Sequence, residues 1–95
     1  MEMNQEEKME REKACLIPIA FADEGALVII ASVRGGQSLK KRLTDRGFLP
    51  GEAVRIIKNC RFGGPMLLEI RGARYGIGRG EAQKILVDDR MKNEN

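Results

Sequence analysis

The chain has no histidine and no tryptophan among its 95 residues, and only two cysteines, three prolines, three phenylalanines and one tyrosine. Without histidine it lacks the commonest general base near neutral pH and the commonest metal ligand. Cys15 and Cys60 lie far apart in apolar segments, without the paired spacing of a four-cysteine zinc site. With no signal peptide ahead of them, reduced and at least partly buried thiols are expected rather than a disulfide. No apolar run approaches the ~20 residues that cross a bilayer, so any membrane connection must run through another protein. No glycine-rich loop is followed by Lys-Ser or Lys-Thr, which excludes a P-loop. Gly76-Ile77-Gly78-Arg79-Gly80 lacks the helix and the distant acidic residue of a dinucleotide-binding turn. The neighbouring carboxylates Asp23-Glu24 and Asp88-Asp89 fall in turns or tails, where solvation is easy. No catalytic residue, metal site or cofactor is expected, and the chain does not read as an enzyme.

Charge is plentiful and unevenly spread. Residues 14–80 hold eleven Lys or Arg against five Asp or Glu, a balance of +6 within an overall +3. Residues 1–13 have no branched apolar or aromatic side chain and cannot offset their ordering entropy by burial, so they read as a flexible charged tail. Residues 14–88 read as one domain with a thin core, and residues 89–95 as a second flexible tail.

Short β-rich runs separated by glycines fill that domain. Leu16 to Ile19 contains Pro18, which suits an edge or entry segment. Ala26 to Val33 is a β-branched run bounded by Gly25 and Gly35-Gly36, and Glu52 to Cys60 is a second. Met66 to Arg71 and Arg74 to Gly78 read as a hairpin turning at Gly72 or Gly72-Ala73. Gly80 to Gln83 fits a single 3₁₀ turn before a last strand, Lys84 to Val87. Between the first two long runs, Ser38 to Arg46 is the one good helix. Leu39 and Leu43, four apart, face the core, Lys41 can pair with Asp45, and Gln37 or Ser38 should cap the start. Gly47 suits a left-handed helix stop, Phe48 folds back on the last turn, and Pro50-Gly51 fits a type II turn. Five short strands and one inserted helix fit a small antiparallel sheet, and closing it into a barrel would remove its exposed edges.

Binding is the remaining function class. Phe21 and Phe48 are expected in the core, leaving Phe62 in Arg61-Phe62-Gly63-Gly64-Pro65 as an aromatic hard to bury. The expected partner surface is therefore Lys40 and Lys41 on the helix with Arg61, Phe62, Gly63 and Gly64 in the loop. A nucleic-acid-binding barrel is the alternative on charge, although acidic tails and scarce aromatics make nucleic acid a poor fit.

Three stretches carry a further resemblance: Leu39 through Gly51, Val54-Arg55-Ile56, and Gly63 through Gly72. Together with Tyr75 through Val87, they resemble the FeoA domain, the small cytosolic component of bacterial ferrous-iron transport. The resemblance implies an SH3-like β-barrel with a helix after its first long strand. It also implies an accessory role beside a FeoB-like membrane permease that moves Fe(II) and carries a cytosolic GTP-binding domain. A third idea is stimulation of GTP hydrolysis by a basic residue reaching across that interface, with Arg61 the candidate because it sits in the loop, and self-association stays open. The same module resembles the C-terminal domain of metal-dependent repressors, although no helix-turn-helix precedes it here. The charged extension departs from the family pattern, as do Gly76 and Gly78 in a strand usually filled with aliphatic residues.

Overall fold

A computed structural model describes residues 16–60 and 63–89. Alternating apolar residues build six strands: β1 (Leu16–Pro18), β2 (Leu27–Val33), β3 (Ala53–Lys58), β4 (Met66–Ile70), β5 (Ala73–Ile77) and β6 (Ile85–Asp88). They form one antiparallel sheet in the order β1-β6-β2-β3-β4-β5. Val28 and Ile30, Val54 and Ile56, Leu68 and Ile70, and Ile85 and Val87 all point to the same buried core, as a period of two requires.

The sheet is open, which corrects the expected SH3-like barrel. No ladder joins β5 to β1 among the described residues, and these two strands are its edges. Register shifts between Ile30 and Ser32 and between Ile56 and Lys58 curl the sheet around its core without closing it. Closure would need a full ladder between the edges. β1 offers three residues and ends at Pro18, which has no N–H to donate, before the chain turns into a 3₁₀ step at Ile19–Phe21.

A second correction concerns the turn before the last strand. It is a single α-turn, α2 (Arg79–Ala82), with Ala82 N–H donating to Gly78 O at 2.9 Å and Gln83 N–H to Arg79 O at 3.0 Å. These bonds reach back four residues, so the wider α ring wins over the 3₁₀ ring. The β4–β5 hairpin also turns one residue earlier than expected. Arg71 (φ 53°) and Gly72 (φ 85°) are its two central residues, as in a type I′ turn. Arg71 is held there by Glu52, whose oxygens accept from Nε at 3.1 Å and Nη2 at 2.6 Å.

The inserted helix, α1 (Gln37–Asp45), crosses from β2 to β3. Its start differs from expectation: Gly36 is the N-cap and no side chain caps the helix, so Ser38 already lies inside the first turn. Leu43 is fully buried and Leu39 half-buried against the core. The stop is built as the residues dictate. Gly47 takes φ 98°, its N–H donates to Thr44 O at 2.9 Å, and Phe48 N–H donates to Leu43 O at 2.9 Å. That pair of bonds is a Schellman ending, closed by the buried Phe48 ring. Pro50-Gly51 follows as a type II turn, with Glu52 N–H donating to Leu49 O at 3.0 Å and Gly51 at φ 93°.

A Cβ at Gly47 would meet only Ile70 Cγ2, at 3.9 Å, so space is not the obstacle there. Gly47→Val should nevertheless cost about 2 kcal/mol through left-handed strain on a β-branched residue. An unchanged urea midpoint would refute that account of the helix stop.

Candidate functional site

Lys40 and Lys41 lie exposed on the outer side of α1, with Lys41 Nζ 3.5 Å from Asp45 Oδ2 in the expected one-turn pair. Beside them runs an open groove lined by Gln37, Ser38, Lys40, Lys41 and Thr44. Both Gly63 (φ 135°) and Gly64 (φ 83°) are exposed in backbone conformations that side chains disfavour. Arg61 and Phe62 lie outside the described residues, as does Cys15. Cys60 is exposed rather than partly buried, because it sits past the end of β3 where the strand's alternation no longer turns it inward.

No hydrogen bond or ion pair joins the two lysines directly to the 63–65 turn among the described residues. The short helix α2 links their two elements instead. Glu81 Oε2 stands 3.7 Å from Arg42 Nη2 on α1, and Arg79 donates to Cys60 O at the base of the loop. Arg79 also donates to Asn59 Oδ1 at 2.7 Å and Ala20 O at 3.2 Å. Asn59 in turn donates from Nδ2 to Ala20 O at 3.0 Å and Ala22 O at 2.7 Å, and its backbone N–H donates to Glu24 Oε2 at 2.9 Å. Asn59, 6% exposed, is the one buried polar residue among those described, and no buried side-chain polar atom there lacks a partner. This hub escapes a reading of the sequence, since an asparagine ending an apolar strand looks like turn punctuation. Its partners are far away in the chain.

The hub also explains why Phe21 departs from expectation. Its neighbours Ile19, Ala20 and Ala22 are buried, whereas Phe21 is 61% exposed. The 3₁₀ step turns three successive residues in different directions, and the bonds to Ala20 and Ala22 fix which two go inward. An exposed aromatic therefore stands beside the loop base. Leu49, 41% exposed, is the other large apolar side chain facing solvent among the described residues. It borders a cavity of about 270 Å³ between the end of α1 and the β4–β5 hairpin.

No group of three or more His, Cys, Asp or Glu side chains that could hold a metal occurs among the described residues. No helix among them is long and apolar enough to cross a membrane. Among the described residues the site brings together separated cations, positive-φ glycines and an exposed ring, with no converging acid, base and nucleophile.

A family model described as the FeoA domain matches residues 17–89. The putative Fe(2+) transport protein A of Methanocaldococcus jannaschii is 36% identical over 74 residues, covering 78% of this chain and 88% of that protein. A crystal structure of an iron uptake regulatory protein (FeoA) superposes with a TM-score of 0.73 at 25% identity, over 77% of this chain and 96% of that one. A manganese-dependent transcriptional repressor superposes with a TM-score of 0.72 at 17% identity, over 78% of this chain but 41% of the repressor, a likeness of fold alone.

Proposed function

The chain belongs to the FeoA family, and on that premise we propose that it is a non-catalytic cytosolic adaptor of ferrous-iron uptake that binds the GTP-binding cytosolic part of a FeoB-like permease. The observation that carries this reading is the membership itself, joined to a surface suited to docking. Lys40 and Lys41 provide exposed charge, Gly63-Gly64 provide an adaptable backbone, and Phe21 and Phe62 provide rings for a partner's pocket. Arg61, in the same loop, supplies a further cation. The alternative of nucleic-acid binding is weaker, because the cations are scattered over α1, strands and loops without an aromatic stacking platform among the described residues.

Rim charges and a ring that enters the partner should be separable by kinetics. Against the purified cytosolic region of the permease, Lys40→Gln with Lys41→Gln should slow association and flatten its salt dependence, as rim charges do. Phe62→Ala should instead speed dissociation, by the equivalent of about 1 kcal/mol or more. Surface plasmon resonance at two salt concentrations checks both. Absence of binding by the wild type, or tight salt-sensitive binding to random duplex DNA in its place, would overturn the adaptor reading.

A further inference from the structure

Because the sheet is open, β5 has one side unpaired among the described residues. We infer that this edge accepts an extended, acidic segment of the partner protein as an added strand. The inference rests on the adaptor reading above and specifies a second contact for it.

The two-residue turn at Arg71-Gly72 makes Ile70 and Ala73 a hydrogen-bonded pair, so Tyr75 and Ile77 also spend their backbone groups on β4. Arg74 and Gly76, the alternate residues, direct N–H and C=O outward. Neither backbone finds a partner in the turns, loops or side chains of the described residues. Natural edges are usually blunted by length, proline, bulges or a covering element. β5 has five residues in register throughout and no proline, and its Gly76 is exposed without a side chain to obstruct an incoming backbone.

The cavity beside this edge supplies a side-chain contact. Ala73 and Tyr75 of β5 form one wall, and Leu49 and Ile70 contribute apolar surface. A strand laid along β5 places alternate side chains on this face, so one apolar residue can enter the cavity while the backbone pairs.

Charge selects the occupant. At the cavity, Arg71 is matched by Glu52 and Asp45 by Lys41, but Arg46 has no ion-pair partner among the described residues. On the other face of the hairpin, Glu69 lies in register between Arg55 and Arg74, one carboxylate for two guanidiniums. Both faces of the edge therefore carry surplus positive charge. A second copy of this chain pairing through β5 would bring Arg46 and Arg74 of both copies together, whereas an apolar residue flanked by Asp or Glu is complementary.

The test is amide hydrogen exchange on the labelled full chain, free and with the permease's cytosolic region, in wild type and two variants. The Arg74 and Gly76 amides should become protected only when the partner is present. Gly76→Pro removes an outward donor without taking a bond from the β4–β5 ladder and should weaken binding about tenfold. Gly76→Ala keeps the donor, and its Cβ would come no nearer than 3.9 Å to Met66 O, so it should bind as wild type. Binding that leaves Arg74 and Gly76 exchanging freely would overturn the added strand while leaving the adaptor reading intact. No binding at all would overturn both. Protection of these amides in the free protein would also overturn the inference. If it rises with protein concentration, a second copy holds the edge, and if it vanishes on deletion of residues 2–13, the chain's own tail does.

Discussion

Replacing Phe48 by alanine should destabilise the domain by about 3–5 kcal/mol, the range for truncating a buried phenylalanine. Phe48 is among the largest fully buried side chains, at 1% exposure, so truncation removes both transfer energy and packing. Its position makes collapse around the gap difficult. The backbone N–H of Phe48 closes the Schellman bond to Leu43 O, so the residue cannot shift without opening the end of α1. Its ring also tilts against Tyr75, with centroids 5.9 Å apart, linking the helix end to β5. A small domain is worth only about 5–15 kcal/mol in total, so the variant should unfold at markedly lower urea and lose the distinct environment of Tyr75. A midpoint shift equivalent to less than about 1.5 kcal/mol would show that the core repacks and that the helix end is not fixed as described.

The second large effect is expected at Asn59. Asn59→Leu keeps a side chain of similar reach but removes both donors and the acceptor. Ala22 O loses the bond that Nδ2 makes at 2.7 Å, Ala20 O keeps only its bond from Arg79, and Arg79 loses the Oδ1 acceptor. Unmade buried hydrogen bonds cost about 1–3 kcal/mol each, so about 3 kcal/mol is expected even though apolar burial increases. Denaturant unfolding measures the total. Amide exchange should localise the damage to the Ile19–Phe21 step and the start of the 63–65 turn, the two segments the hub ties together. A neutral or stabilising result would mean that the network contributes specificity rather than stability.

The contrast between α1 and the sheet shows which features a sequence displays. Gly47, Phe48, Pro50 and Gly51 act within a few residues of one another, so the helix stop and the following turn are legible from local chemistry alone. Lys41 and Asp45 are legible for the same reason. Sheet closure is not, because it depends on whether β1 and β5 meet, and their alternating patterns are the same in an open or a closed sheet. Phe21 misleads, and Asn59 goes unnoticed. An aromatic in an apolar stretch looks buried, and an asparagine near the end of a long run shows no role of its own, until bonds between residues 20–22 and 59 place both. The Arg71-Gly72 turn is hidden because arginine rarely takes a positive φ. The candidate lysines and glycines are where the sequence places them, on exposed surface, but the short helix connecting their elements carries no local signal of that role.

The strand order also bears on how the chain is made. β2, β3, β4 and β5 pair as sequential neighbours, so this meander can assemble while the ribosome is still adding residues. β1 precedes the other strands of the sheet, yet its one partner among the described residues is β6, the last of them, with Leu16 opposite Asp88. The N-terminal strand must therefore wait through synthesis of the rest of the sheet. Until β6 arrives and fills the space between β1 and β2, Val28 and Ile30 lack the Ile85 and Val87 side chains that complete their part of the core. Folding of this sheet should thus finish in one late step, set by release of β6 from the exit tunnel.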